Sequence, residues 1–402
     1  MNPMLFFKQH WLTLAIGVAV GALGIAWLAG FWQVVLGVVA VAAIACVTLF
    51  FVRRRRHAEA VAVAVARPKK EKTRTEPEPS DTDALARLML EQGRYSLLMR
   101  PQIAANLPPH LLDKARQAFD EQMTIVPVGD VLVGRSKGDE ERNHSYGGNL
   151  VHVEAVYLDR YQVTNEEYQE FVDAGGYEQM PLWDPEIWPA VLDFVDQSGM
   201  PGPRYWRNGK HIEGEERLPV VGVCWYEAAA YARWVGKRLP SDPEWIKAGA
   251  WPVPLPGAEP IQRRFPWGES MDQGRANLWG SGPEHVVEVE QYGPGASVGG
   301  CHQLIGNVWE WTSSRFGAWR APGDQLVLDS AMRSLRGGAF DTYFDHQASC
   351  DYQSGDKAVA RKHNIGFRCA VSFCDILPED DSFDSAEIQE ELEAAGAAGG
   401  EN

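Results

Sequence analysis

Residues 218–245 read LPVVGVCWYEAAAYARWVGKRLPSDPEW, and their spacing predicts two helices joined by a tight connection. The first runs through WYEAAAYARWVGK with Gly236 as its stop, because glycine closes a helix in the left-handed conformation without a Cβ penalty. The second opens at Ser241-Asp242-Pro243-Glu244 and continues EWIKAGA. A serine followed three residues later by glutamate is a capping box, in which each side chain bonds the other's backbone N–H. Trp225, Tyr231, Trp234 and Trp245 lie on these helices. Large aromatics bury roughly 150–250 Å² each, so all four are read as structural. Lys237 and Arg238 follow the first helix, where its dipole favours cations.

Working outward, Thr164-Asn165-Glu166-Glu167 opens another helix, NEEYQEFVDAGG, with Thr164 as cap, Glu167 reaching back and Gly175-Gly176 at its end. MTIVPVGDVLVG and VHVEAVYLDRYQV alternate apolar residues with turn signals and read as strands. Before them, two helical stretches over residues 81–122 form a small connector, the first stopped by Pro101 and the second opening on prolines suited to a first turn. After residue 250 come short strands and long loops rich in Gly, Pro and Trp. Twelve of the 15 tryptophans fall between Trp183 and Trp319, which suggests an irregular, loop-rich globular domain over 123–374.

The formal net charge of -16 excludes nucleic acid as a partner, since phosphate binding needs a basic surface. Residues 375–402 hold ten acidic side chains and no basic one, and read as a disordered, solvated tail. The six cysteines, Cys46, Cys224, Cys301, Cys350, Cys369 and Cys374, show no CxxC spacing. A chain this long needs no disulfide framework, so reduced thiols in a reducing compartment are expected.

From Trp11 to Val52 there is no charged residue. As one helix this run would be roughly 60 Å long, about twice the hydrocarbon thickness of a bilayer. It therefore reads as a helical transmembrane hairpin over 1–56, turning near Gly30-Phe31-Trp32-Gln33. Lys8 and Arg53 to Arg56 flank it, with nothing basic at the turn, so both ends are expected to be cytoplasmic. The implied location is the cell (inner) membrane with two spans, the lipid bilayer is an implied partner, and residues 57–80 read as a linker to a cytoplasmic domain.

Four blocks now stand in order: residues 218–245, FPWGE (265–269), IGNVWEW (305–311), and LRGGAF (335–340) with HNIGFRCAV (363–371). In this order and spacing the chain resembles the formylglycine-generating enzyme family, also called sulfatase-modifying factors, over Met123–Val371. The resemblance implies an α+β, C-type-lectin-like, loop-rich fold, shared with ergothioneine-synthase catalytic domains. Within it, Gly337-Gly338 suit a close-packed strand, and Arg368 between apolar neighbours is expected in a buried ion pair or on backbone carbonyls.

The resemblance also implies calcium. One family site would use Gln303, the carbonyls of Gly306 and Val308, and Glu310, hard oxygens suited to that ion. Gln303 stands where the family carries Asn. A second would use Asn277 and the carbonyl of Leu278, although the carboxylate expected later is not evident in SGPEHVVEVEQYG.

The stretch Gly337–Cys350, GGAFDTYFDHQASC, decides the chemistry. Copper- and oxygen-using members carry two cysteines just after their GGS motif, because soft thiolates hold Cu(I). Here those positions are Thr342 and Gln347, and Cys350 lies three residues too late. Copper oxidase chemistry is therefore expected to be absent. Asp341, His346 and Cys350 remain as candidates for a relocated catalytic site. A non-haem iron triad needs two histidines and a carboxylate. Only His346 lies here, His302 and His363 would have to fold close, and residues 81–122 offer His110 alone. Iron is thus not supported. Gly295–Gly299 matches GxSxG but lacks the strand and helix that a nucleophile elbow requires.

These readings point to a membrane-anchored domain of the sulfatase-modifying-factor type that binds a peptide or protein. The alternatives are a metal-dependent oxidoreductase with a relocated site and an accessory subunit of a membrane complex.

Overall fold

The computed structural model describes residues 81–134, 149–255, 258–319 and 332–376. The predicted membrane hairpin, the linker and most of the acidic tail lie outside the described residues. Among the described residues, no helix is long and apolar enough to cross a membrane.

The expected capping boxes form. Helix α5 (Asn165–Asp173) is capped by Thr164, whose N–H donates to Glu167 Oε2 at 2.8 Å. Helix α7 (Asp242–Ala250) is capped by Ser241, whose N–H donates to Glu244 Oε2 at 2.7 Å. Between them, α6 (Trp225–Trp234) is buried on nearly every side; Ala228, Ala230 and Ala232 let it approach its neighbours closely. It ends at Gly236, which has φ +78°.

Helix α6 centres one apolar cluster, with Tyr168, Phe171, Trp183, Trp311 and Phe367 around it. Helix α7 centres a second, with Trp245 and Ile246 packed against strands near the N-terminus of the domain. Strand β1 (Met123–Val126) pairs antiparallel with β4 (Val156–Asp159), and β4 with β11 (Ala370–Ser372). A four-stranded sheet runs β10-β7-β8-β9, where β7 (Trp309–Arg315) lies parallel to β10 (Ile365–Gly366) and antiparallel to β8 (Met332–Arg336), and β9 is Ser354–Lys357. Two ribbons complete the fold, β2 (Gly129–Val133) with β3 (Asn149–Val153), and β5 (Val253–Leu255) with β6 (Ala258–Ile261). The result is α+β and loop-rich.

The connector differs from expectation. It holds four helices, α1 (Thr82–Glu91), α2 (Tyr95–Leu98), α3 (Pro101–Ala104) and α4 (Pro109–Gln122). Pro101 does not end a helix but opens α3, where its missing N–H is harmless. Helices α1, α2 and α4 share a core with Met123, Val371 and Ile376. The connector also caps α6: Arg94 Nε donates to the Trp234 carbonyl at 2.9 Å, and Arg100 Nη2 to the Gly236 carbonyl at 3.2 Å. Arg94 and Arg100 thus bring cations to this helix end, beside Arg233 of its own last turn. Lys237 instead turns inward to Asp159 Oδ1 (2.6 Å) and Tyr95 Oη (2.7 Å). Burial opposes the charge on Lys237, but Asp159 and Tyr95 outweigh it and raise its pKa.

Three further carboxylates are buried with arginine. Glu227 meets Arg361, Asp242 meets Arg336, and Glu310 meets Arg368. A removed partner would leave a charge stranded in the interior, so these pairs bind distant segments together.

Candidate functional site, a cleft beside the Tyr343–His346 loop

Strand β8 ends on Gly337 and Gly338, with φ +95° and +79°. A Cβ at Gly337 would lie 2.3 Å from the Leu304 carbonyl oxygen, so only glycine fits that turn. The chain then folds back on itself. Thr342 Oγ1 accepts from Ala339 N at 2.8 Å, and a 3₁₀ turn over Asp345–Gln347 follows. This segment is a loop and not a strand.

The loop forms one wall of a cleft of about 790 Å³, lined by Arg264, Phe265, Glu269, Met271, Trp279, Tyr343, Phe344, Asp345 and His346 among others. Backbone bonds fix both walls: Cys350 N donates to the Arg264 carbonyl at 2.9 Å, and Trp279 N to the Thr342 carbonyl at 3.4 Å. Trp279, Tyr343 and Phe344 expose 47, 69 and 54% of their surface. Exposed aromatics beside a concave surface mark binding sites more than stability. A second depression continues past Glu269 and Gln273 to Trp267, Asp272 and Arg275.

The three candidate catalytic residues do not converge. His346 faces the cleft, packed between Phe344 and Tyr352 at 5.6 and 5.8 Å between ring centres. Asp341 accepts from Asn364 Nδ2 at 3.0 and 3.1 Å and lies 3.9 Å from His363. Cys350 is buried behind the loop against α7, where a Cβ at Gly249 would come within 2.9 Å of its sulfur. Burial, with Asp351 adding to it, pushes the Cys350 thiol well above the usual range. Cys301 lies in the same apolar cluster, its thiol pushed up to about 11 mainly by burial. Cys369 belongs to the other cluster. Protonated, enclosed thiols are poor nucleophiles and poor metal ligands.

The histidines stay apart as well. His302 packs on Tyr161 at 4.8 Å, His363 beside Tyr205 and Phe340, and His346 on the cleft. Among the described residues no three His, Cys, Asp or Glu side chains group as a metal site.

The oxygens considered for calcium are largely committed. Glu310 Oε1 accepts from Arg368 Nη2 (2.7 Å) and Gln162 Nε2 (3.0 Å), and Oε2 from Arg368 Nε (2.8 Å) and Trp245 Nε1 (2.8 Å). The single carboxylate of that set is thus neutralised by arginine. The Gly306 carbonyl accepts from Val308 N at 2.9 Å. Gln303 donates to the carbonyls of Glu288 and Gln291, leaving Oε1 buried without a partner. In the second set, Asn277 Oδ1 is likewise unpartnered, while the Leu278 carbonyl accepts from Ser281 and Gly282. Gln303 Oε1 and Asn277 Oδ1 are thus buried without a partner, while the carboxylate of the first set, Glu310, is paired with Arg368.

The cleft has a signal in the sequence that periodicity does not register. FPWGE and RANLWG place Trp267 and Trp279 on loops, where an aromatic side chain is free to face a ligand.

Residues 109–373 match the family described as sulfatase-modifying factor enzyme 1-like domain. The chain belongs to this family. It is 30% identical over 312 residues to the inactive C-alpha-formylglycine-generating enzyme 2 of Mus musculus, covering 68% of this chain and 95% of that protein. It is 34% identical over 239 residues to the hercynine oxygenase of Mycolicibacterium smegmatis, covering 54% of this chain and 53% of that protein. The chain thus spans about half the length of the hercynine oxygenases it matches. Among solved structures, PvdO from Pseudomonas aeruginosa aligns with a TM-score of 0.42 at 21% identity, covering 62% of this chain and 93% of that one. In this sulfatase-modifying factor domain, helices α1 and α2 precede the matched segment yet are part of its packing. The Tyr343–His346 wall of the cleft falls between Thr342 and Gln347, the two positions expected to carry the copper cysteines.

Proposed function

We propose that this sulfatase-modifying factor domain binds an extended peptide or protein segment in the Trp279–Tyr343–Phe344 cleft and does not oxidise it through copper. One observation carries the reading: the cleft is formed and carries aromatic side chains, while hydroxyl and amide stand at 342 and 347 and the thiol of that segment, Cys350, is buried behind the wall. The similarity to a mouse protein named inactive supports it. The uncharged run Trp11–Val52 supports anchoring in the inner membrane, with the domain on the cytoplasmic side as a scaffold or accessory subunit of a membrane complex. The test is a fluorescence-anisotropy titration with cysteine-containing peptides patterned on sulfatase segments. Trp279→Ala and Phe344→Ala should each weaken binding about tenfold or more, as hot-spot aromatics do. Unchanged affinity in both variants sinks the assignment of the cleft.

A second reading, an oxygen-dependent oxidoreductase with a relocated site, rests on the similarity to hercynine oxygenases. It would use Cys350 with His346 or Cys301 on non-haem iron or copper. Stoichiometric iron or copper lost in a His346→Ala, Cys350→Ala double variant would favour it over binding alone.

A further inference from the structure

The β5-β6 ribbon carries an aliphatic face that nothing in the described domain covers. Val253 pairs opposite Ile261 and Leu255 opposite Ala258, with a bulge between the two pairs that places the extra residue on the second strand. Directly opposed residues project to one face of a ribbon, and residues two apart on a strand share it. Val253, Leu255 and Ile261 are 52, 40 and 62% exposed. The base of the ribbon is fixed. Gln262 Nε2 donates to the Leu132 carbonyl at 2.9 Å, Leu132 N donates back to Gln262 Oε1 at 3.0 Å, and Arg263 N donates to the Ala250 carbonyl at 2.8 Å. The aliphatic face is therefore held out on a rigid base.

The chemistry of the ribbon narrows what could cover it. Pro254 and Pro260 lack N–H groups, so neither strand offers a continuous edge for another sheet to join. Three aliphatic side chains also fall far short of the roughly 800 Å² per partner that a specific protein interface buries. A bilayer requires neither backbone pairing nor shape complementarity, and it gains about 0.8 kcal/mol per buried methylene. Residues 57–80 separate the domain from the uncharged run. A segment of 24 residues tethers the domain to any membrane that holds that run. Arg263 follows two residues after the ribbon, suited to anionic headgroups.

We propose that Val253, Leu255 and Ile261 rest in the headgroup–acyl boundary of the bilayer, as a second contact beside the N-terminal anchor. This rests on the reading that Trp11–Val52 spans the membrane.

The test uses the full chain with Cys46→Ser and Cys374→Ser, reconstituted in vesicles of phosphatidylcholine with a minor fraction of phosphatidylglycerol. A fluorophore is placed on Ile261→Cys, or on Leu192→Cys as an exposed control away from the ribbon. With spin-labelled lipids, the dye at 261 should be quenched several-fold more than the dye at 192. A chain that floats with the vesicles while both dyes are quenched equally overturns the ribbon contact and leaves the anchor standing. Energy transfer between dyes at 261 on different molecules, without lipid quenching, would also overturn it and assign the face to a second copy. A chain that does not float with vesicles overturns both the anchor and the contact.

Discussion

Arg368 closes on Glu310 with two hydrogen bonds, Nη2 to Oε1 at 2.7 Å and Nε to Oε2 at 2.8 Å, across 58 residues of chain. Its remaining donors reach the carbonyls of Asp159, Arg160 and His302. One guanidinium thus joins β4, β7 and the loop that precedes β7. Arg368→Leu is expected to destabilise the domain by about 3–5 kcal/mol, because it strands a buried carboxylate. The double variant Arg368→Leu, Glu310→Leu should lose less than Arg368→Leu alone. Urea midpoints with unchanged slope check both; equal losses would contradict the role given to the charge.

Lys247 offers a pH test. Its side chain lies beneath β2, and Nζ is buried with no hydrogen-bond partner. Burial lowers its pKa from the usual value to about 8, with Asp130 and Glu154 opposing. Between about pH 8 and the ordinary lysine value of about 10.4, the unfolded chain holds more protons than the folded one. Stability from this group therefore rises as pH rises through that window, and the penalty is complete below it. Lys247→Met should stabilise the protein at pH 7 by on the order of 1–2 kcal/mol and flatten the alkaline rise. Thermal melts from pH 7 to 10.5 measure both effects.

Thiol labelling tests the burial of the cysteines. Cys224, Cys301, Cys350 and Cys369 are buried, whereas Cys374 is exposed. Of these five, only Cys374 should react with iodoacetamide in the native protein, and the other four only on unfolding. Peptide mass mapping reads this directly. Rapid labelling of native Cys350 would contradict its place behind the cleft wall.

The helices ahead of the matched segment are expected to be needed for stability. Arg94→Ala removes a charge-assisted bond to the end of α6 and a cation–π contact with Trp234 at 5.0 Å. It should cost about 1.5–3 kcal/mol. A chain begun at residue 109 loses α1 to α3 and should melt at lower temperature with reduced cooperativity. An unchanged melt would make these helices a mere linker.

Local chemistry was legible in the sequence and long-range partnership was not. The capping boxes at Thr164 and Ser241, the glycine stop at Gly236 and the buried pairing of Arg368 follow from residues a few positions apart or from burial alone. Asp242 reads locally as first-turn helix charge, yet it is the hub of Thr312, Ser334, Arg336 and Gln353. Its partners lie 70 to 111 residues away, beyond any local pattern. Glu310 reads as a free hard ligand for the same reason. The segment 341–350 reads as a cluster because its spacing is short. The glycine turn and the 3₁₀ turn point Cys350 inward and His346 outward, and composition cannot show direction.

The central claim is a cleft that binds without copper oxidation, and one measurement tests it most directly. A cysteine-containing peptide is incubated with the purified full chain, stoichiometric Cu(I) and oxygen, and its mass is followed over several hours. The account predicts an unchanged cysteine at a protein concentration where the peptide is bound. Multiple turnovers of peptide to an aldehyde product, above the rate without protein, would contradict it.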